Sequence, residues 1–192
     1  GALDFNLGCS GYIYVLSIAK GLIQSGQCRN VLLLTADTYT KLIKPDDRSV
    51  RTLFGDAGAA SWITSDTDKD RGFEIGAFVF GSDGSGAENL IAHSGGFRHP
   101  VNPDNPCTLS MNGPEIFEFA LQVVPQCIKE LLEIEDLLQG DIDLFAFHQA
   151  NAYMLEYLRD KMGIAPDRFL INMQDCGNTV SASIPIALRD SG

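Results

Sequence analysis

Cys9 is the residue of this sequence whose position most suggests covalent chemistry. It lies in the Gly-Cys-Ser-Gly segment 8–11, between a predicted strand end at residues 4–7 and a helix predicted over residues 10–25. The unpaired N–H groups and positive dipole of a helix start favour a thiolate there. The position allows a nucleophile, but a free cysteine in a tight turn is more commonly a small buried residue, so both interpretations stay open here.

Two more polar side chains stand where predicted strands end. His148 follows an apolar strand predicted over residues 142–147, and ligands bind at the carboxyl ends of strands in open α/β sheets. Asn178 lies in a turn before a helix predicted over residues 183–189, which repeats the placement of Cys9. The competing interpretations are a histidine hydrogen-bonded at a helix start and an ordinary turn asparagine.

The order Cys, His, Asn also occurs in papain-like proteases, and the local sequence argues against that class. Their nucleophile lies in a Cys-Gly-Ser-Cys-Trp type segment, whereas Cys9 is followed by Ser-Gly-Tyr. The five cysteines form no Cys-x-x-Cys pair, which argues against a disulfide framework and a structural zinc site. Reduced thiols in a cytoplasm are the simplest interpretation.

Composition excludes several other classes. The net charge of −11 disfavours a nucleic-acid partner, because phosphate binding needs a basic face. No apolar run reaches membrane-spanning length, and nothing at the first residues is typical of a signal peptide. The glycine clusters at residues 55–60 and 81–86 lack the Lys-Ser/Thr ending of a phosphate-binding loop, so tight turns are expected there.

Strand and helix patterns alternate along the chain. Apolar runs predict strands, amphipathic stretches predict helices, and the Gly- and Pro-rich stretch 83–112 predicts a loop. The remaining predicted strands are residues 31–36, 57–63, 73–80 and 169–171, and the remaining predicted helices are residues 115–132, with Pro125 as a kink or break, and 150–162. This alternation predicts an α/β fold with a mainly parallel sheet.

Five segments together resemble β-ketoacyl-acyl carrier protein synthase III, a family of condensing enzymes with the thiolase fold. They follow in the family's order and spacing over essentially the whole chain. The segments are residues 4–12, 46–48 with 54–60, 111–117, 148–151 and 177–183.

The resemblance implies a fold and a division of the chain. The fold is a thiolase-like α/β fold, with two related βαβαβαββ halves in a five-layer αβαβα arrangement, seen here in part. Residues 1–70 would finish the N-terminal half, and residues 71–192 would start the C-terminal half. Family members extend at both ends, so the resemblance implies a chain truncated at both ends and inactive on its own.

The resemblance also implies a role for each site residue. Cys9 would take an acyl group from acyl-CoA, while His148 and Asn178 would hydrogen-bond the thioester carbonyl of malonyl-acyl carrier protein. The residues of the coenzyme A and pantetheine channel would be Arg48, Phe54, Met111 and Gly113. No cofactor or metal is expected, because acyl-CoA and the malonyl carrier are both substrates.

The expected partners are the acyl carrier protein, acyl-CoA and a second copy of the chain in a cytoplasmic homodimer, with no nucleic acid and no membrane. Two departures concern the carrier: Tyr153 stands where the family often has a docking arginine, and Pro114 replaces an asparagine that contacts pantetheine. A basic patch that includes Arg159, Lys161 and Arg168 is expected to take over docking. The alternatives are a specialised relative that makes a secondary metabolite or acylates a polysaccharide, and a non-catalytic partner subunit.

Overall fold

The α/β architecture is seen in a computed structural model, which describes residues 1–66, 72–104 and 106–191. The described residues form four α-helices and six strands; four of the strands follow α1 in succession, and 3₁₀ turns join several of the elements. The helices are α1 (Gly11–Gln24), α2 (Gly113–Ile134), α3 (Ala152–Met162) and α4 (Ser183–Asp190). The strands are β1 (Asn30–Asp37), β2 (Ala57–Thr64), β3 (Leu90–Ala92), β4 (Leu109–Met111), β5 (Phe145–Ala146) and β6 (Phe169–Leu170).

Local signals explain why the helix bounds agree well with the sequence. The Asn151 side chain accepts a hydrogen bond from the Met154 N–H at 2.8 Å and so caps the start of α3. Gly163 ends that helix in the left-handed conformation, at φ 64°. Helix α2 continues past Pro125, where a kink or break was expected, so the helix is not interrupted there.

The strand pairing differs from the expected mainly parallel sheet. Strand β1 pairs with β2 antiparallel along its whole length, from Asn30 opposite Thr64 to Asp37 opposite Ala57. Strands β3 and β4 are also antiparallel, and only β5 and β6 are parallel in the described residues. Apolar content predicts that a strand is buried, but it does not fix the direction of the neighbouring strand.

The run in β1 was also expected to be covered on both faces. Instead its side chains alternate: Leu33 is 3% exposed, whereas Leu32 and Leu34 are 63% and 69% exposed. Trp62, opposite Leu32 on β2, is 71% exposed on the same outer face. Among the described residues, therefore, only the inner face of this ribbon is covered.

Two predicted strands form no strand ladder. Residues 4–7 are exposed and irregular, and residues 73–80 run without a partner strand among the described residues. The second segment is held by side chains instead: the Lys20 ammonium donates to the Gly76 carbonyl at 2.7 Å, and the Glu135 carboxylate accepts the Ala77 N–H. Strand-like composition yields a strand only where a neighbouring backbone can pair with it.

The stretch 83–112, expected to be a loop, contains the β3–β4 ribbon and a 3₁₀ turn at Gly84–Asn89. Further on, β5 and β6 occupy only part of the predicted strands 142–147 and 169–171. The predicted boundary between the halves, after residue 70, lies outside the described residues and stays a prediction.

Helices α1 and α4 pack on the inner face of the β1–β2 ribbon. Tyr12 and Ala19 from α1 share a buried cluster with Leu33, Ile63 and Ile184, which come from β1, β2 and α4. Helix α1 begins two residues after Cys9, and α4 begins five residues after Asn178, beyond a 3₁₀ turn. Packing them on one sheet face therefore brings the two turns toward each other.

Candidate active site

Cys9 lies in a tight turn immediately before α1. The Gly11 N–H donates to the Gly8 carbonyl at 2.8 Å, which closes this turn. The cysteine is half-buried and packs against an apolar cluster that includes Phe54 and Val180. Burial raises the pKa of the Cys9 thiol to about 11, and the nearby Asp37 charge adds to this rise. The thiol is therefore neutral at pH 7, and the expected stabilised thiolate is not present in this state.

Asp37 and Tyr39 border the cysteine, and both were missed by the sequence analysis. The Asp37 carboxylate accepts hydrogen bonds from the Ser181 N–H, at 3.1 Å, and from the Ser181 hydroxyl. Tyr39 packs edge-on against Phe54, with ring centroids 5.4 Å apart. Burial is the main cause that raises the pKa of Tyr39, and negative charge at Cys9 and Asp37 raises this pKa further. Asp37 ends an apolar strand, so the rule that identified His148 would have identified Asp37 too.

His148 is half-buried just after β5, and its two ring nitrogens lie in different surroundings. Nδ1 lies 2.7 Å from the Ser183 hydroxyl, whereas Nε2 has no hydrogen-bond partner among the described residues. Burial lowers the pKa of the imidazole to about 4, and the Val180 backbone opposes this in part. The ring is therefore neutral at pH 7, so one nitrogen carries a proton and the other accepts.

Asn178 is held through its backbone by the segment before β2. Its N–H donates to the Leu53 carbonyl at 2.8 Å, and its carbonyl accepts the Gly55 N–H at 3.0 Å. The side-chain Oδ1 accepts the Val180 N–H at 2.9 Å. Because that oxygen is engaged, the amide nitrogen is the group through which Asn178 can serve a ligand.

Two glycines allow this close crossing of backbones. A Cβ on Gly55 would lie 1.9 Å from the Cys176 carbonyl oxygen, so no larger residue fits without moving the backbone. Gly177 has φ 64°, and a Cβ there would lie 2.8 Å from the Leu53 carbonyl oxygen. The glycines on either side of the crossing thus determine where Asn178 stands.

Val180 connects the three predicted catalytic residues. Its side chain is fully buried and packs in the cluster that Cys9 joins. Its N–H donates to the Asn178 side chain, and its backbone lies beside the His148 ring. It is also a β-branched residue at φ 56°, a costly conformation that the surrounding contacts impose. The structure therefore places Cys9, His148 and Asn178 around one buried residue, although they come from distant parts of the sequence.

An open cavity of about 550 Å³ lies between the start of α2, the start of α3 and the segment before β2. Of the predicted substrate-binding residues, Met111 and Gly113 line it. Phe54 lies behind it, in the cluster that Cys9 and Met111 join. Arg48 is exposed and does not line the cavity, although its neighbour Ser49 does. Phe117, from the predicted segment 111–117, also lines the cavity, as does Met154, which sequence reasoning did not identify.

The basic side chains expected to dock a carrier make hydrogen bonds and an ion pair within the protein itself. The Arg159 guanidinium pairs with Asp160 at 2.8 Å, and the Lys161 ammonium donates to the Leu121 carbonyl at 2.8 Å. Arg168 donates to the carbonyls of Gln139 and Gly140. Within the described ranges no group of three or more His, Cys, Asp or Glu side chains could hold a metal ion, and no helix there is long and apolar enough to cross a membrane.

Comparison with known proteins gives consistent matches. Residues 3–84 match the family profile of 3-oxoacyl-[acyl-carrier-protein] synthase III, and residues 132–191 match the profile of that enzyme's C-terminal part. The β-ketoacyl-[acyl-carrier-protein] synthase III of Clostridium perfringens is 38% identical, over 99% of this chain and 59% of that protein.

Solved structures agree with these matches. A crystal structure of a 3-oxoacyl-(acyl-carrier-protein) synthase III has a TM-score of 0.90 at 46% identity, over 99% of this chain and 60% of that one. A 3-oxoacyl-(acyl-carrier protein) synthase from Burkholderia xenovorans has a TM-score of 0.84 at 42% identity, over 97% and 54%. The fold is therefore thiolase-like, and the chain spans about 59% of the length of the curated relatives it matches. This chain belongs to the 3-oxoacyl-[acyl-carrier-protein] synthase III family.

Proposed function

We propose that this chain carries the catalytic residues of a 3-oxoacyl-acyl carrier protein synthase III, which joins a short acyl-CoA primer to malonyl-acyl carrier protein by decarboxylative Claisen condensation. The observation that carries this proposal is the convergence of Cys9, His148 and Asn178 around Val180. Such a reaction starts type II fatty-acid synthesis. Membership of the family supports the choice of substrates.

In the first step, the Cys9 sulfur attacks the carbonyl carbon of the acyl-CoA thioester. A new carbon–sulfur bond forms, and coenzyme A leaves with the proton that the thiol gives up. Because the resting thiol is neutral and sits in apolar surroundings, deprotonation must accompany substrate binding. The same surroundings suit the uncharged thioester that results.

In the second step, the malonyl group loses carbon dioxide and becomes an enolate. Donors fixed in advance at the position where charge develops lower the barrier to such a step. His148 Nε2 and the Asn178 amide supply them here, since the other polar atom of each side chain is already engaged. The enolate carbon then attacks the carbonyl carbon of the Cys9 thioester, the carbon–sulfur bond breaks, and the 3-oxoacyl product forms. Cys9 leaves as a thiolate and takes a proton from water, which restores the neutral thiol.

The cavity lined by Met111 and Gly113 is the proposed channel for the pantetheine arm, which leads toward Phe54 and the Cys9 cluster. Arg48, exposed beside the channel, is available to pack on the adenine of coenzyme A. The proposal includes a cytoplasmic homodimer that needs no cofactor, and reduced cysteines are consistent with that location. The non-catalytic alternative is not favoured, because the chain keeps all three catalytic residues.

The test separates the two half-reactions in the product of the complete gene. His148→Ala and Asn178→Ala should slow malonyl decarboxylation on the order of a hundredfold or more, while acyl transfer to Cys9 is spared to a greater extent. His99→Ala, in an exposed loop, is the matched control. Decarboxylation at the parent rate in both variants would contradict the assigned roles.

A further inference from the structure

Ser183 is a buried hydroxyl at the start of α4, for which the condensation chemistry described above has no role. It is 3% exposed, and its oxygen lies 2.7 Å from His148 Nδ1 and 3.3 Å from the Gln149 backbone nitrogen. We propose that Ser183 is a positioning residue that holds the neutral His148 ring in the tautomer with its proton on Nε2. This inference rests on the proposed function, in which Nε2 is a donor.

The direction of each hydrogen bond follows from what each group can donate. A backbone N–H only donates, so the Ser183 oxygen accepts from Gln149. The hydroxyl proton then needs an acceptor, and the hydrogen bonds of the described residues offer it His148 Nδ1. An accepting Nδ1 carries no proton, which places the proton of a neutral imidazole on Nε2.

Gln149 favours this arrangement, because the reverse one would leave the buried Ser183 proton without an acceptor among the hydrogen bonds of the described residues. Its side chain is 1% exposed and is clamped at both ends: its amide nitrogen donates to the Phe147 and Leu170 carbonyls at 2.8 and 3.2 Å, and its amide oxygen accepts the Asn172 N–H at 2.8 Å. These bonds fix the backbone beside the ring, so the Gln149 N–H stays directed at Ser183. The Ser183 oxygen therefore accepts the Gln149 N–H, and the Ser183 hydroxyl proton points toward His148 Nδ1.

The arrangement leaves a donor without a partner inside the protein. Nε2 is buried, and although the Val180 backbone lies beside the ring, no well-formed hydrogen bond to Nε2 is present among the described residues, whereas buried polar groups are almost always paired. A ligand carbonyl or enolate oxygen is the kind of group that would complete this pairing. In the other tautomer Nε2 would be an acceptor, and it would repel that oxygen. Loss of the serine hydroxyl should therefore weaken the donor without removing the ring.

The tautomer can be measured directly, independently of catalysis. Nitrogen-15 chemical shifts of the His148 ring in the parent protein should show a protonated Nε2 and an unprotonated Nδ1. In Ser183→Ala the two shifts should move toward each other as both tautomers become populated, and Ser183→Thr, which keeps a hydroxyl, should restore the parent pattern. A protonated Nδ1 in the parent would overturn the inference without any variant being needed.

The functional measurement uses the same proteins, with Ser191→Ala at the far end of α4 as the control. Ser183→Ala should lower kcat for malonyl decarboxylation roughly tenfold, the effect expected for one weakened hydrogen bond, with KM little changed and acyl transfer to Cys9 retained. Parent-like kcat despite mixed tautomers would overturn the positioning role. A parent protein that shows the Nε2–H tautomer but never decarboxylates malonyl substrates would contradict the proposed function instead.

Discussion

The turn that carries Cys9 and the region that carries His148 and Asn178 are built in different ways. Around Cys9 the packing contacts are mostly apolar side chains, with the Asp37 carboxylate nearby, and burial raises the thiol pKa to about 11. His148 and Asn178 are each oriented by hydrogen bonds, one through the Ser183 hydroxyl and the other through the Leu53, Gly55 and Val180 backbones.

The difference corresponds to what each side would do in the proposed reaction. An attacking sulfur changes its bonding during the reaction, so a surface that makes no directional demand on it suits both the thiol and the thioester. A hydrogen-bond donor works only if it already points at the position of the developing charge. Apolar packing thus suits the Cys9 turn, and fixed hydrogen bonds suit the region of His148 and Asn178. Mutations can disturb each region separately.

The largest expected effect comes from the backbone crossing that holds Asn178. Gly55→Ala would force a methyl group to within 1.9 Å of the Cys176 carbonyl oxygen, so the two segments must separate. We expect a loss of about 3 kcal/mol in the free energy of unfolding, measured by urea denaturation.

Gly140→Ala is the control for this change, because the same methyl group would meet open space there. Equal stability of the two alanine variants would show that the crossing is not tightly constrained.

An effect of similar size is expected on the histidine side, in the pH dependence of stability. The pKa of His148 is about 4 in the folded protein and 6.5 in a model peptide, so folding favours the neutral ring. Stability from this group is complete above pH 6.5 and is lost as the pH falls from 6.5 to 4, by roughly 3 kcal/mol in total. Urea midpoints at several pH values should show this loss.

His148→Gln, which cannot titrate, should remove this part of the acid dependence. The exposed His99→Gln variant should keep it. If the parent protein and His148→Gln lose stability equally between pH 6.5 and 4, the histidine does not remain neutral by burial.

The smallest expected effect is the influence of the Asp37 charge on the pKa of Cys9. Asp37→Asn removes a negative charge near Cys9 but keeps an acceptor for Ser181, so the pKa of Cys9 should fall by less than burial raises it. Alkylation rates of Cys9 measured against pH should shift toward lower pH, whereas the exposed Asp167→Asn should leave the profile in place. A shift toward higher pH would mean that the carboxylate assists the thiolate.

The sequence was sufficient for features that depend on neighbouring residues. Helices α1 and α3 lie close to their predicted positions because their ends are marked locally, by Gly26 and by Asn151 with Gly163. Cys9, His148 and Asn178 could be singled out because each lies beside a predicted strand or helix end and within a family motif.

Features that depend on distant partners could not be predicted in this way. Residues 73–80 have the composition of a strand, but they find no strand to pair with in the described part of the chain. The contact between Asp37 and Ser181 joins positions 144 residues apart, and no local pattern indicates it. The raised pKa of Cys9 has the same origin, since the local helix start favours a thiolate and the apolar cluster around it outweighs that effect.

The central claim is that Cys9 is the residue that receives the acyl group. Acyl-CoA should be incubated with the product of the complete gene, and the thioester should be located by peptide mass spectrometry. The proposed mechanism predicts one acyl group on Cys9, absent from Cys9→Ala and present in His148→Ala. Acylation of Cys28, Cys107, Cys127 or Cys176 with Cys9 unmodified would contradict it.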